Sequence, residues 1–185
     1  EWFVKVISRQ NSVVHALFTT GRNLGALSAG TEGFFEHLGT PLRMAEHELD
    51  ATRRMREIGV GAPEPVEAFE VDDLGVLVLE YLPAFEPLDA LGPERGAAVA
   101  PELFRSLRRM HDDGLAHGDL RAENVLVVDD DLYFIDATSV SADARDDARA
   151  YDVACGLAAL APVVGAAPAV DAALGTYAID DLLAA

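Results

Sequence analysis

The run VLVVDDDLYFID, residues 125–136, constrains this chain more tightly than any other stretch. Two short, β-branched and aromatic runs flank a cluster of acids, a pattern that predicts an antiparallel hairpin. With the turn centred on Asp130, residues equidistant from it face each other, so Asn124 and Asp136 converge at the hairpin's open end. Just upstream, HGDLRAEN (117–124) adds a His, two acids and an Arg, with Asp119 nearest that end. Two carboxylates and an amide oxygen gathered there are hard oxygen donors, of the kind Mg²⁺ uses when it also holds phosphate oxygens. Asn124 and Asp136 would serve equally well as caps of strand ends, and the spacing leaves both readings open.

The rest of the chain alternates strand and helix signals in an α+β pattern. WFVKVI (2–7) reads as a strand with Lys5, the sole lysine, in its middle. PLRMAEHELDATRRMREIG reads as a helix that starts near Pro41 and stops before Gly59. Met44, Ala51, Met55 and Ile58 fall on one face of it, and so does Glu48, a carboxylate inside an apolar stripe. Such a group needs a cation or a raised pKa. Two strands joined by a tight DDLG connection follow, the second ending at Glu80, Tyr81 and Leu82, with a lobe boundary expected where Pro83 and Pro87 break regularity. A helix is predicted from about Pro101 to Asp113, stopped by Gly114. Residues 153–170 read as two short buried helices interrupted by Pro162 and Pro168, not as a membrane span. GRNLGALSAG, inside the Gly-punctuated region 8–43, departs from GxGxxG spacing and is read as an irregular or helical insertion.

Half of the residues are hydrophobic, which marks a globular chain. The formal charge of −18 excludes nucleic-acid binding through phosphate neutralisation. The single cysteine, Cys155, allows no intrachain disulfide and reads as a buried, inert thiol. A reducing, cytoplasmic location without a signal peptide is expected. His15, His37, His47 and His111 show no metal-ligand spacing, and Trp2 and the phenylalanines are assigned to the core. Abundant Asp and Glu, Arg as nearly the only cation and a lone lysine resemble the proteins of salt-accumulating, haloarchaeal cells. Surface repulsion would there be screened, the Debye length being roughly 3 Å at 1 M salt.

HGDLRAEN followed by VL resembles the catalytic loop of the protein kinase-like superfamily, in which an Asp precedes an Asn by five residues. FID resembles a degenerate DFG motif with Ala137 replacing its Gly. HGD is similar to the loop of RIO-type kinases, lipopolysaccharide-core kinases and aminoglycoside phosphotransferases. WFVKVI is similar to the Lys-bearing third strand, the Glu48 helix to the αC region, and LVLEYLP to the strand and hinge beyond. The resemblance runs from Trp2 to about Leu160 with its motifs in order.

It implies a two-lobed kinase-like fold. A partial N-lobe, 1–82, would hold a β-sheet and the αC-like helix, and a reduced, mainly helical C-lobe, 83–185, would hold the catalytic loop and the metal-binding hairpin. It also implies ATP and Mg²⁺ as cofactors. Lys5 would bind the α- and β-phosphates and Glu48 would orient it. Glu80 and Leu82 would present backbone groups to adenine, and Asn124 and Asp136 would hold the metal. Asp119 would accept or orient the proton of an acceptor hydroxyl, on a protein or a small molecule. His117 is expected to brace the loop by hydrogen bonding, and Arg121 and Glu123 stay open between a phosphate-side role and a surface ion pair. Asp152, in YDVA, reads either as the anchor of the catalytic-loop backbone or as a plain helix N-cap.

The pattern also departs from the family. No glycine-rich hairpin precedes the Lys strand; because Glu1 is not a start methionine, the sequence is expected to be a fragment of a longer protein. The segment from Asp136 to Asp152 is short and lacks APE. A RIO-like serine/threonine protein kinase is the leading expectation. A small-molecule kinase and a nucleotide-binding regulatory pseudokinase are the alternatives.

Overall fold

The computed structural model describes residues 1–8, 39–142 and 144–184. The Gly-punctuated insertion, with His15 and His37, falls almost wholly outside the described residues.

Strand β1 (Trp2–Ile7) pairs antiparallel with β3 (Leu74–Glu80), which pairs antiparallel with β2 (Pro65–Val71), giving the order β1-β3-β2. The β2–β3 turn is Asp72-Asp73, both with positive φ. Period-two alternation turns Phe3, Lys5 and Ile7 to one face and Trp2, Val4 and Val6 to the other. The second face has no covering layer among the described residues, and Trp2 is 63% exposed. Trp2 therefore lies outside the core, as do the half-exposed Phe3, Phe69 and Phe85, whereas Phe104 and Phe134 are fully buried.

Helix α1 (Pro41–Glu57) crosses the covered face. Thr40 caps it by accepting from the Arg43 N–H at 3.2 Å, Pro41 fills the first turn, and Gly59 at φ +78° follows its end. Met44, Glu48, Ala51 and Met55 are buried along its inner stripe, with Ile58 only partly so. The start of α1 approaches the sheet so closely that a Cβ on Gly75 of β3 would stand 2.1 Å from the Pro41 carbonyl oxygen.

After β4 (Glu86–Pro87), α2 runs over Pro93–Asp112 and not from Pro101. Pro101 is tolerated in the interior because the carbonyl it deprives of a partner belongs to exposed Ala97. Leu103, Phe104, Leu107 and Met110 form the fully buried face of α2, and Gly114 at φ +82° follows its end. The short sheet β4-β5-β6, with β5 Val125–Val128 and β6 Asp131–Phe134, packs beside it.

The β5–β6 hairpin turns on two residues, Asp129 and Asp130, both with positive φ. Val125 consequently faces Phe134, and the Ile135 N–H donates to the Asn124 carbonyl. The register is one residue off a hairpin centred on Asp130, so Asn124 stands opposite Ile135, one residue short of Asp136. The run of three aspartates conceals which two form the turn.

Helices α3 (Asp146–Val164), α4 (Ala166–Leu174) and α5 (Ile179–Ala184) complete the chain. The α3–α4 break is at Gly165, φ +94°, and not at a proline. Pro162 sits inside α3, where the carbonyl it orphans is that of exposed Ala158. Gly156 lets α3 close onto Phe104, Leu107 and Leu120, each within 3.4 Å of where a Cβ would stand. Cys155 is half-buried, because it lies off that inner stripe. No helix among the described residues is long and apolar enough to cross a membrane.

Candidate active site

A cleft of about 520 Å³ lies between the two sheets, within the range of small-molecule sites. Phe3, Leu79, Leu82, Leu126 and Ile135 give it apolar walls, while Lys5, Glu48, Asn124 and Asp136 line its polar part.

Lys5 organises that part. Its Nζ donates to Glu48 Oε2 at 2.8 Å, Glu48 Oε1 at 3.1 Å and Asp136 Oδ1 at 2.7 Å. Burial acts to lower the ammonium pKa, but the two carboxylates outweigh it and hold Lys5 above its ordinary value. Burial pushes Glu48 up, with Lys5 opposing. Asp136, disfavoured by burial, is nevertheless held below the ordinary aspartate range by Lys5. The carboxylate in the apolar stripe of α1 thus finds its cation on β1 and is 2% exposed.

Asp136 takes a left-handed backbone conformation, φ +57° and ψ +56°, at the start of the Ala137–Ser139 turn, which packs on α1. This brings in Thr138, absent from the sequence expectations. Its Oγ1 lies 2.8 Å from Glu48 Oε2 and 2.9 Å from Asp136 Oδ1, so its one proton can be donated to either carboxylate. Aligned on Asp136, Ala137 stands at the phenylalanine of DFG and Thr138 at its glycine, so the residue that replaces the glycine is Thr138 and not, as the sequence suggested, Ala137. The hydroxyl two residues after an acid was the available signal. His47 on α1 adds a second tie to this segment, 2.7 Å from the Val140 carbonyl oxygen.

The catalytic-loop stretch is held from beneath. Fully buried Asp152 accepts from the His117 N–H at 2.6 Å and the Gly118 N–H at 2.8 Å. It lies inside α3, whose N-cap is Arg145, so it anchors the backbone and is no cap. His117 braces the loop by packing instead of hydrogen bonding: its ring lies 6.0 Å from that of Phe134, and neither ring nitrogen has a partner among the described residues.

Asn124 donates from Nδ2 to the Asp119 carbonyl oxygen at 2.9 Å, which ties the two ends of the loop. Asp119 itself does not line the cleft; its carboxylate accepts from Arg121 Nη2 at 3.2 Å. Arg121 also pairs with Glu123 at 2.8 Å, an exposed contact. Glu80 and Leu82 both line the cleft, and the Glu80 N–H is committed to the Glu64 carbonyl oxygen.

No trio of His, Cys, Asp or Glu side chains with metal-site geometry occurs among the described residues. An amide and one carboxylate facing the same cleft fit Mg²⁺ better than zinc, since Mg²⁺ takes one or two protein oxygens and completes its shell with phosphate and water.

The RIO domain family matches residues 36–151, well over half of the chain. The chain belongs to the RIO domain family. Its RIO domain is therefore of the protein kinase-like superfamily, and its fold is that of an atypical kinase. Among curated proteins, the chain is 32% identical over 110 residues to the KEOPS complex subunit Bud32 of Pyrococcus abyssi, covering 57% of this chain and 49% of that protein. It is 27% identical over 143 residues to the 3-deoxy-D-manno-octulosonic acid kinase of Vibrio cholerae, covering 72% of this chain and 57% of the relative. The chain thus spans about half the length of the curated relatives it matches. Lys5 lies before the RIO domain match and Asp152 just after it.

Proposed function

We propose that this RIO domain is an ATP- and Mg²⁺-dependent phosphotransferase, acting as a RIO-like serine/threonine protein kinase. The observation that carries the reading is the Lys5 ammonium, held by Glu48 and Asp136 where the apolar cleft turns polar. An apolar cleft suits a purine, and a fixed cation beside it suits its phosphates.

In this reading the N-lobe is 1–82 and the C-lobe 83–185. Backbone groups of Glu80 and Leu82 receive adenine, Lys5 holds the α- and β-phosphates, and Asn124 and Asp136 would hold Mg²⁺. When bound, the metal would neutralise charge on the phosphate oxygens. The acceptor oxygen attacks the γ-phosphorus as the bond to the β–γ bridging oxygen breaks, and the acceptor's proton goes to Asp119. The Asp152 anchor and the Asn124 tie keep Asp119 in place, so the protein supplies position more than covalent chemistry.

A small-molecule hydroxyl is the second reading, favoured by the match to a sugar-acid kinase over 72% of this chain. Labelled ATP offered with protein extracts or with sugar acids separates the two acceptors.

The nucleotide part is tested by calorimetric titration of the full chain with Mg·ATP. Lys5→Met is expected to weaken binding about ten- to hundredfold, the worth of a hydrogen bond to a charged group. Equal affinities would overturn the assignment of Lys5 to the phosphates.

A further inference from the structure

The family match ends at residue 151, yet the chain beyond it reaches back to the catalytic loop. Tyr177, in the connection between α4 and α5, is 6% exposed. Its Oη lies 3.0 Å from His111 Nδ1, and His111 Nε2 lies 3.3 Å from Asp152 Oδ2. Asp152 in turn accepts the His117 and Gly118 N–H groups, immediately before Asp119.

Donor accounting sets the protons along this chain. A carboxylate only accepts, so a neutral His111 imidazole must carry its proton on Nε2 to face Asp152. Nδ1 is then a bare lone pair, and the Tyr177 hydroxyl is the donor that satisfies it. Burial, followed by the nearby Asp152 charge, pushes the Tyr177 phenol far above its ordinary value, so the hydroxyl keeps its proton. Without that hydroxyl, Nδ1 is a buried acceptor with nothing to accept, which is unfavourable. Moving the imidazole proton to Nδ1 removes that cost but aims the Nε2 lone pair at the Asp152 carboxylate.

We propose that Tyr177 is a positioning residue for phosphoryl transfer: its hydroxyl fixes the His111 tautomer, and through it the Asp152 carboxylate that holds the loop in front of Asp119. The kinetic part rests on the phosphotransferase reading; the tautomer part does not.

Tyr177→Phe is the variant of choice. The ring contacts survive it, because Phe104 meets the ring edge-on at a centroid distance of 6.5 Å and the Arg108 guanidinium lies 5.8 Å from its centroid. In the full chain, ¹⁵N resonances of the His111 ring are expected to report the Nε2–H tautomer alone, and a mixture with Nδ1–H in Tyr177→Phe. For phosphoryl transfer, kcat is expected to fall about tenfold with KM for ATP unchanged, the effect of about 1.4 kcal/mol on the barrier. In a His111→Gln background, whose amide donates to Asp152 without tautomers, adding Tyr177→Phe is expected to cost less than about twofold, the coupling expected of residues in one network.

An unmixed Nε2–H tautomer in Tyr177→Phe, an effect on KM alone, or fully additive losses in the double variant would each overturn the proposal. A wild-type chain without any transfer defeats the phosphotransferase reading and leaves the ring resonances to decide the role of Tyr177. Should Tyr177→Phe not fold, resonances of the wild-type ring in the Nδ1–H form would overturn the proposal by themselves.

Discussion

Lys5 on β1 and Glu48 on α1 meet at 2.8 Å across 43 residues of sequence, and the ammonium that joins them also reaches Asp136. One contact thus couples the first sheet, its helix and the segment that follows the β5–β6 hairpin.

Removing Lys5 tests that coupling through pH. Glu48 already sits above its ordinary value of 4.5 because it is buried, and Lys5 is what opposes the rise. In Lys5→Ala the folded-state pKa climbs further. A raised carboxyl contributes stability that is complete below the unfolded value and lost as pH rises through the folded one. Asp136, depressed by Lys5 in the wild type, contributes stability above its ordinary 3.8 that is lost on acidification. Both effects make the variant's deficit small near pH 4 and larger toward neutrality. There it is expected to reach about 3 kcal/mol, the lower end for breaking a buried pair, since Lys5 is 30% exposed. Urea unfolding of both proteins across this pH range measures it. A deficit that shrinks with rising pH would contradict the assignment.

Thr138 gives a second test. Thr138→Val keeps the shape and removes the hydroxyl shared by Glu48 and Asp136, at an expected loss of about 1–2 kcal/mol. Thr138→Ser is expected to retain most of the stability. Thermal melts of the pair check this, and equal melts for Val and Ser would remove the hydroxyl from the network.

Packing sets the position of α1, so Gly75→Ala carries a consequence at a distance. Its Cβ would collide with the Pro41 carbonyl and lift the start of the helix off the sheet. A loss of about 3 kcal/mol is expected, typical of overpacking against backbone. Because α1 carries Glu48, the Lys5 resonances should shift as well. Chemical denaturation and the Lys5 Nζ signal together measure the effect, and a wild-type Lys5 signal in a destabilised variant would separate the helix position from the ion pair.

Much of this arrangement was legible in the chain because it is local. The 3.6-residue stripe with Glu48 inside it announced a buried carboxylate in need of a cation, and the apolar runs around Asp129–Asp131 announced the hairpin. The register was not legible, since three aspartates hide a two-residue turn. Pro101 and Pro162 read as breaks because their cost depends on whether the orphaned carbonyl reaches water. Trp2 reads as core until β1 proves to have one uncovered face. Thr138 shows only a hydroxyl two residues after an acid, since its other partner, Glu48, lies 90 residues away, and Tyr177 carries no local signal, its partner His111 lying 66 residues away. Tyr177 and Asp152 also fall past the end of the family match, where the chain's own contacts are the guide.

The most direct test of the site is transfer of radiolabelled γ-phosphate from ATP, in high salt, by the full chain and by Asp119→Ala. Transfer by the wild type and at least about a hundredfold less by the variant is the expected result, the scale of a lost proton acceptor. Equal labelling by the two proteins would contradict the assignment of Asp119 and, with it, the reading of the cleft as a phosphotransfer site.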